Sequence, residues 1–244
     1  ENFLNKCKGQ EIVIEEELDH ELEDYEQYDS GFELGLESAE FPLFVSVKKL
    51  LRMVDKTLEL RFFEAEPPRK QVNLDYQNQE KGVMYVNKVN LDNGRVSSEL
   101  CFEVDFEYFL KNFWPKIRMK TQLSALTVWT EIQANIKGNP DMPNTSITSK
   151  EVESKYISIG LKKSLLQEEE RHQIFRVFTE YENWKNRIGA YDFQDFVRHI
   201  KLQLDRFGYK GNRIHFLMVD EVQDCTGNLL KVLMNITEQH LFFA

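Results

Sequence analysis

The fold is decided by an apolar run that ends in acids: Ile214-His215-Phe216-Leu217-Met218-Val219-Asp220-Glu221-Val222-Gln223-Asp224. A strand that is apolar on both faces belongs inside a parallel sheet with helices on each side. Parallel α/β sheets place their ligands beyond the carboxyl ends of their strands. The run therefore predicts an α/β fold with a candidate site at Asp220 and Glu221.

Asp220 and Glu221 suit a magnesium-dependent reaction of phosphates. Burying carboxylates at the end of an apolar strand is unfavourable unless something pairs with them. Mg²⁺ takes one or two carboxylates and keeps several waters while it bridges phosphate oxygens, which fits Asp220. Glu221 could then accept a proton from a water that attacks a γ-phosphate. The alternative is a strand end that carries surface acids.

The net charge of −10 comes from one segment. Residues 11–40 contain thirteen Asp and Glu and no Lys or Arg, so the rest of the chain is mildly basic. A segment of this composition is expected to be solvated and extended. It is a candidate contact for a protein partner, or an autoinhibitory strip that mimics nucleic acid.

Strand and helix patterns surround the central run. Apolar runs at 42–47 and 241–244 predict two more strands, and the stretch between 66 and 165 is predicted to be mostly helical. Aromatic stripes in these helices favour a packed core over a cofactor site. Four positions are predicted helix boundaries, namely the caps Thr148, Ser164 and Asp192 and the stop Gly208.

The acidic motif carries a family resemblance. Val219-Asp220-Glu221-Val222-Gln223-Asp224 resembles the Walker B motif, D-E-x-Q-D, of superfamily 1 helicases of the UvrD/Rep type. Residues 191–197 resemble the Y-D-F-x-D-L segment that precedes this motif. Residues 104–106, 113–116 and 128–132 resemble the UvrD-like region of the large TPR-and-ankyrin-repeat proteins.

The resemblance implies an ATP-dependent helicase or translocase with ATP and Mg²⁺ as cofactors. Asp220 would hold Mg²⁺, and Glu221 would activate the attacking water. Gln223 would sense the γ-phosphate, and Asp224 would fix the motif by pairing with a neighbouring segment. The implied partner is single-stranded DNA or RNA.

The implied architecture is a partial P-loop NTPase (RecA-like) parallel-sheet core with a large α-rich insertion. Residues 1–40 would form the acidic flexible segment and 41–65 the first part of the motor domain. Residues 66–165 would form the insertion and 166–244 the rest of the motor domain.

One required element is missing from this chain. A phosphate-cradling loop needs Gly-Lys followed by Ser or Thr, because backbone N–H groups and the Lys neutralise the phosphates. None of the eleven glycines is followed by Lys. The chain by itself is therefore expected to be inactive, as a central fragment of a longer motor.

A weaker nucleic-acid signal lies in the predicted insertion. Lys111, Lys116, Arg118 and Lys120 surround Trp114, a combination that suits phosphate contacts and base stacking on single strands. The alternative is a helix with a solvated basic face and its aromatic side chains in the core.

Two functional hypotheses follow from these patterns. The first is part of an ATP-dependent motor, and the second is a non-catalytic scaffold that binds protein or RNA partners. Three scattered cysteines favour an intracellular compartment, either nucleus or cytoplasm. No run approaches the roughly 18 apolar residues that a membrane-spanning helix needs, so no membrane partner is expected.

Overall fold

The computed structural model describes residues 11–14, 43–63, 84–89, 96–160 and 164–243. The chain divides into two compact units. The sheet unit comprises residues 1–61 and 200–244, and the helical unit comprises residues 62–199. The fold is helix-rich and mixed α/β with small parallel sheets, which confirms the predicted α/β class.

In chain order, the strands are β1 (Glu11–Ile14), β2 (Leu43–Val45), β3 (Met84–Val89), β4 (Val96–Glu103), β5 (Ala190–Tyr191), β6 (Ile214–Val219) and β7 (Thr237–Phe243). The α-helices are α1 (Val47–Lys56), α2 (Phe106–Tyr108), α3 (Trp114–Ile117), α4 (Ala125–Thr130), α5 (Lys150–Ile157), α6 (Glu168–Arg187), α7 (Phe193–Phe207) and α8 (Gly227–Ile236). Two π-helical segments, Phe109–Phe113 and Glu131–Lys137, continue α2 and α4, and 3₁₀ turns occupy Arg118–Lys120 and Val222–Asp224.

Four parallel strands form the sheet of the sheet unit, in the order β2-β1-β6-β7. Parallel neighbours cannot be joined by a hairpin, so each connection must cross over one face of the sheet. The helices α1 and α8 directly follow β2 and β6 in this arrangement. Ser46 begins α1, because its Oγ accepts a hydrogen bond from the Lys49 N–H at 3.3 Å.

β1 lies where the sequence predicted a solvated acidic segment. Ile12, Val13 and Ile14 are consecutive apolar residues that pair with β2 on one side and β6 on the other. The surrounding carboxylates dominate the composition of residues 11–40 and hide this short run. The predictions for residues 1–10 and 15–40 lie outside the residues that the structure describes.

β6 is buried over part of each face, whereas its apolar composition predicted burial throughout. Leu217 and Val219 are completely buried, but His215, on the same face, is exposed. On the other face, Ile214 is 1% exposed and Met218 is 38% exposed. The apolar composition of the strand alone could not reveal this variation.

β7 begins at Thr237, four residues before the predicted strand at 241–244. Its first residue pairs with Ile214 of β6. Pairing with β6 thus places the polar residues at the start of β7 in a strand, although their own sequence shows no strand pattern. The predicted strand at 42–47 is confirmed as β2 but is shorter, because Ser46 already caps α1.

The helical unit contains a small sheet that the sequence analysis missed. β3 and β4 pair in antiparallel fashion, and β5 adds in parallel beside β4. The stretch 66–165 is therefore not helical throughout. The turn predicted at 92–94 falls between β3 and β4, outside the described residues.

Aromatic side chains form the core of the helical unit, as predicted. On α6, Phe178 and Tyr181 are completely buried and Trp184 is 5% exposed. The Phe113 ring lies 5.5 Å from the Tyr181 ring and 5.1 Å from the Trp184 ring, centroid to centroid. Such pairs stabilise a core beyond the burial of their area.

Two of the predicted helix caps are wrong. Ser149 rather than Thr148 begins α5, since the Ser149 Oγ accepts from the backbone of the first turn. Gln167 rather than Ser164 begins α6 through a capping box. The Ser164 hydroxyl instead donates to Glu131 at 2.8 Å, a tertiary contact that outweighs the local capping pattern.

The predicted boundaries of α7 are confirmed. The Asp192 Oδ1 accepts a hydrogen bond from the Asp195 N–H at 3.1 Å, which caps the first turn. Gly208 follows the last residue with φ +69°, a left-handed conformation that favours glycine and ends the helix.

Candidate functional site

The predicted acids lie at the carboxyl end of a central strand. β6 ends at Val219, whose register partners are Ile14 of β1 and Phe243 of β7. Both neighbours run parallel to β6, so their carboxyl ends reach the same edge of the sheet. Asp220 and Glu221 are the first residues beyond that edge, where parallel sheets place ligands.

Glu221 has an unusual backbone conformation. Its φ of 48° and ψ of 43° are left-handed, and it is the one non-glycine residue with positive φ in the described part of the chain. For an L-residue this conformation costs about 1–2 kcal/mol. The Glu221 N–H donates to the Asp220 Oδ1 at 2.9 Å, which holds the turn in place. Backbone strain of this kind clusters at functional sites.

Gln223 and Asp224 complete a tight turn into α8. The Gln223 Nε2 donates to the Glu221 Oε2. The backbone N–H of Asp224 donates to the Glu221 carbonyl at 2.9 Å. Thr226 then caps α8 by accepting from the Leu229 N–H at 3.4 Å. The motif is thus a strand, a strained residue, a 3₁₀ turn and a helix in immediate succession.

The carboxylates of the motif are exposed, which corrects the premise that they are buried. Asp220, Glu221 and Asp224 all have exposed side chains, and so does Gln223. The strand end projects them past the sheet edge, so they retain contact with water. These charges are therefore not desolvated, and only the geometry of the turn marks it as a candidate site.

The donor set of this turn fits a hydrated magnesium ion. Mg²⁺ is typically held by one or two carboxylates and keeps several of its waters. Asp220 and Glu221 are adjacent, exposed carboxylates, and only one oxygen of Asp220 is engaged by the Glu221 N–H. The turn offers no cationic side chain of its own for phosphate, since residues 220–224 carry none.

A second group of acids lies in the helical unit, where Glu182 and Asp192 are buried and Asp195 is partly exposed. Glu182, Asp192 and Asp195 offer carboxylate oxygens within 4.8 Å of one another, a spacing that a metal ion could bridge. Two lysines already occupy this position. The Lys137 Nζ lies 3.0, 2.6 and 2.5 Å from these three carboxylates in turn, and the Lys185 Nζ lies 2.7, 3.0 and 2.6 Å from them. We call these five residues the lysine–carboxylate network.

The charge states of Asp195 and Lys185 in the network are set by the oppositely charged side chains around them. Burial pushes the pKa of Asp195 upward, but Lys137 and Lys185 pull it well below its usual value. Burial pushes the pKa of Lys185 downward, but Asp192, Asp195 and Glu182 hold it well above its usual value. Both charged forms are thus stabilised, which defines a structural ion-pair network rather than a metal site.

The lysines of this network carry no signal in the sequence. Asp192 and Asp195 were noticed only as a helix cap and as part of a motif. Lys137 ends a π-helical segment and Lys185 lies within α6, and the two lysines are 48 positions apart in the sequence. No local pattern marks either residue, because their meeting depends on how the helices pack.

The predicted nucleic-acid residues are largely engaged within the protein. Lys111 pairs with Glu107 at 2.6 Å and Lys120 pairs with Glu180 at 2.7 Å. The Lys116 Nζ lies 5.8 Å above the Trp184 ring. Arg118 is exposed on the 3₁₀ turn that ends at Lys120.

Trp114 packs against the aromatic core and is half-buried. Its ring centroid lies 6.2 Å from that of Phe109, which is completely buried. This contact favours the alternative of a solvated basic helix face with its aromatic side chains in the core.

Comparison with known proteins does not support the class assigned from the motif. No family model matches the chain, and no solved structure matches it significantly. The assignment to superfamily 1 UvrD/Rep-like helicases, made on residues 191–197 and 219–224, is therefore wrong. Short acidic motifs after an apolar strand arise in unrelated sequences, so the motif alone could not identify a protein family.

The chain is similar to human TPR and ankyrin repeat-containing protein 1. The two are 26% identical over 221 residues, which is 82% of this chain and 7% of the relative. The chain thus corresponds to about 7% of the relative's length. The relative's name refers to repeats and not to a helicase. Separately, none of the described helices is both long and apolar enough to cross a membrane.

The strain at Glu221 predicts an effect on stability. We expect Glu221→Gly to be about 1 kcal/mol more stable than Glu221→Ala, since glycine adopts positive φ freely while alanine keeps the strain. Amide hydrogen exchange of β6 and α8 would measure the difference. A glycine variant no more stable than the alanine variant would contradict the left-handed conformation.

The lysine–carboxylate network predicts a large effect of one substitution. We expect Lys137→Met to destabilise the helical unit by about 3–5 kcal/mol, because it leaves buried carboxylates uncompensated. The matched control is Lys120→Met in an exposed pair, with an expected loss below about 1 kcal/mol. All three tryptophans lie in the helical unit, so tryptophan fluorescence in urea follows its unfolding. Equal losses of unfolding free energy in Lys137→Met and Lys120→Met would show that the network stabilises the fold no more than an exposed ion pair does.

The network also predicts a pH dependence. A depressed folded-state pKa at Asp195 contributes stability that is present above its ordinary value of 3.8 and is lost as the pH falls further. Lys137 causes part of this depression, so the stability difference between wild type and Lys137→Met should narrow as the pH falls from 5 to about 3. Urea titrations followed by tryptophan fluorescence would measure it. A difference that stays constant or widens would contradict the assigned pairing.

Proposed function

We propose that the turn at residues 220–224 is a magnesium-dependent site for ATP hydrolysis, in a protein that moves along single-stranded DNA or RNA. The observation that supports this most directly is Glu221, held in a strained left-handed conformation beside Asp220 at the carboxyl end of a central parallel strand. Strain at such a position aims a carboxylate in a direction that an ordinary turn would not.

Each residue of the turn has a chemical role in this proposal. Asp220 would hold Mg²⁺ through a carboxylate oxygen, and Glu221 would accept the proton of the water that attacks the γ-phosphate. Gln223 orients Glu221 through the hydrogen bond from its Nε2. Asp224 donates its backbone N–H to the Glu221 carbonyl and so fixes the turn. When bound, Mg²⁺ supplies positive charge against the phosphate oxygens.

The proposal assigns the sheet unit to a P-loop type of core. The parallel order β2-β1-β6-β7 suits such a core, because both neighbours of β6 reach the same edge. The eleven glycines include no Gly-Lys pair for a phosphate-cradling loop. ATP binding therefore requires phosphate-neutralising groups beyond this chain, and the proposal applies to the whole protein in an intracellular setting.

A non-catalytic scaffold is the second candidate. The absence of a Gly-Lys loop from the sequence and the exposure of the acids favour it. In that case the chain would bind protein or RNA partners, and the acidic turn and the acidic residues of 11–40 would contact basic surfaces of a protein partner. The two candidates differ in whether the site turns over nucleotide.

The decisive experiment is ATP hydrolysis by the natural full-length protein, with and without single-stranded DNA or RNA. We expect Glu221→Gln to lower kcat by about 100-fold or more while nucleotide binding is kept, because only proton acceptance is lost. The matched control is Glu238→Gln, an exposed glutamate of the same unit, which should leave kcat unchanged. Turnover that is equal in wild type and Glu221→Gln would refute the site.

A second measurement tests ion binding in the 244-residue chain itself. Addition of Mn²⁺ as a magnesium analogue should broaden the NMR signals of residues 219–225 in wild type and not in Asp220→Asn. Broadening spread equally over all exposed acids would favour the scaffold.

A further inference from the structure

The sheet unit carries a short, positively charged loop between a helix and a strand. α7 ends at Phe207 and β6 begins at Ile214. Residues 206–213, which we call the basic loop, contain three cationic side chains and no Asp or Glu. The charged and aromatic side chains that the basic loop exposes are Arg206, Phe207, Lys210 and Arg213. The loop therefore presents positive charge and an aromatic ring to solvent together.

Phe207 lies at the surface at the point where α7 ends. The next residue, Gly208, has φ +69°, a left-handed conformation that turns the chain away from the helix axis. The Phe207 side chain is 43% exposed, and the Arg206 guanidinium carbon lies 5.9 Å from its ring centroid, a cation–π contact. An aromatic ring and a guanidinium plane are both surfaces on which a nucleic-acid base can stack.

Tyr209 gives the basic loop a compact shape. Its hydroxyl donates a hydrogen bond to the Asn212 carbonyl at 3.3 Å. A Cβ atom at Gly211 would lie 2.5 Å from the Tyr209 hydroxyl oxygen, so a larger residue there would displace the tyrosine side chain. Burial raises the pKa of Tyr209 to about 12, so the hydroxyl stays protonated and donates at neutral pH. The cations of the loop are thus carried on a turn that its own residues hold in shape.

The cations of the basic loop make contacts that a phosphate group can replace or supplement. Lys210 pairs with Glu59, and both side chains are exposed. An exposed ion pair contributes little to stability, so a phosphate can take the place of Glu59 at low cost. Arg213 donates to the Thr237 carbonyl at 3.3 Å, and its side chain is exposed. A guanidinium has several N–H groups, so this one contact does not exhaust Arg213.

Charge and aromatic character together indicate a single-stranded nucleic acid as the ligand. Cations contact the phosphates, whereas an exposed ring offers a stacking platform for an unpaired base. The bases of a duplex are already stacked on one another, so a duplex would use the cations and leave Phe207 unused. An acidic peptide would likewise pair with the cations alone.

The basic loop lies at the opposite edge of the sheet from the acidic turn. It precedes Ile214, the first residue of β6, whereas Asp220 follows Val219, the last. β6 has six residues and therefore spans about 20 Å. The exposed carboxylates of Asp220, Glu221 and Asp224 repel a phosphate backbone, and the basic loop attracts it. The charge distribution thus directs a polyanion to the amino-terminal edge of β6.

We propose that the basic loop binds single-stranded DNA or RNA, with Phe207 stacking on a base and Lys210 and Arg213 contacting phosphates. This surface differs from the one that the sequence predicted between residues 111 and 120, which lies in the helical unit. The proposal rests on the nucleic-acid partner named in the proposed function and is independent of ATP hydrolysis.

Binding by the 244-residue chain without ATP tests the stacking contact. Fluorescence anisotropy would be measured with labelled oligothymidylate and oligouridylate, and with a DNA duplex for comparison. We expect Phe207→Ala to weaken binding of the single strands by about tenfold, because base stacking is lost, and Phe207→Trp to restore it. The matched control is Met234→Ala, an exposed apolar residue of α8, which should bind like wild type.

The salt dependence of the same binding tests the phosphate contact. We expect Arg213→Gln to lower the slope of log affinity against log salt by about one, because one phosphate contact is lost. Lys231→Gln, at an exposed lysine of α8, should leave the slope unchanged. The proposal is overturned if wild type does not bind, if the duplex binds as tightly as the single strands, if Phe207→Ala binds like Met234→Ala, or if Arg213→Gln keeps the wild-type slope.

ATP hydrolysis by the natural full-length protein separates this proposal from the proposed function. There, Phe207→Ala should lose the stimulation by single strands and keep the basal turnover. A wild type without any turnover would refute the hydrolysis site and leave the anisotropy result standing. Stimulation that survives in Phe207→Ala would refute the basic loop and leave the hydrolysis site standing.

Discussion

The parallel pairing of β6 between β1 and β7 is the constraint on which the sheet unit depends. Because both neighbours run the same way, every connection must cross a face, and all carboxyl ends meet at one edge. That edge receives Asp220 and Glu221. The position of the candidate site is thus a consequence of this pairing pattern.

The two groups of acids in this protein have opposite environments. Glu182, Asp192 and Asp195 are brought together in the interior, where Lys137 and Lys185 compensate their charge. Asp220 and Glu221 stay in water, without a cation in their own turn. A compensated buried group stabilises a particular packing, whereas exposed adjacent carboxylates keep their capacity to bind an ion. Burial and pairing therefore distinguish the group of acids with a structural role from the group that forms the candidate functional site.

Local patterns were sufficient for some elements and misleading for others. The Asp192 cap, the Gly208 stop and the buried stripe of α6 followed from spacing, because neighbouring residues alone set them. β1 was missed because its three apolar residues lie among carboxylates. Ser164 failed as a cap because Glu131, far away in sequence, binds its hydroxyl. The family assignment failed because the short segments that carried it, at 191–197 and 219–224 and between 104 and 132, hold too little information to identify a family.

The sequence by itself determined the α/β class, the strand that precedes Asp220, the stripes of the helical core and the lack of a Gly-Lys loop. These depend on composition and on contacts within one or two turns of chain. Only the tertiary structure decided the order of the strands, the exposure of Met218 on β6 and the lysines that meet the acids of the helical unit. It also decided the left-handed Glu221. Each of these depends on segments distant in sequence that come together only when the chain packs, which no local pattern records.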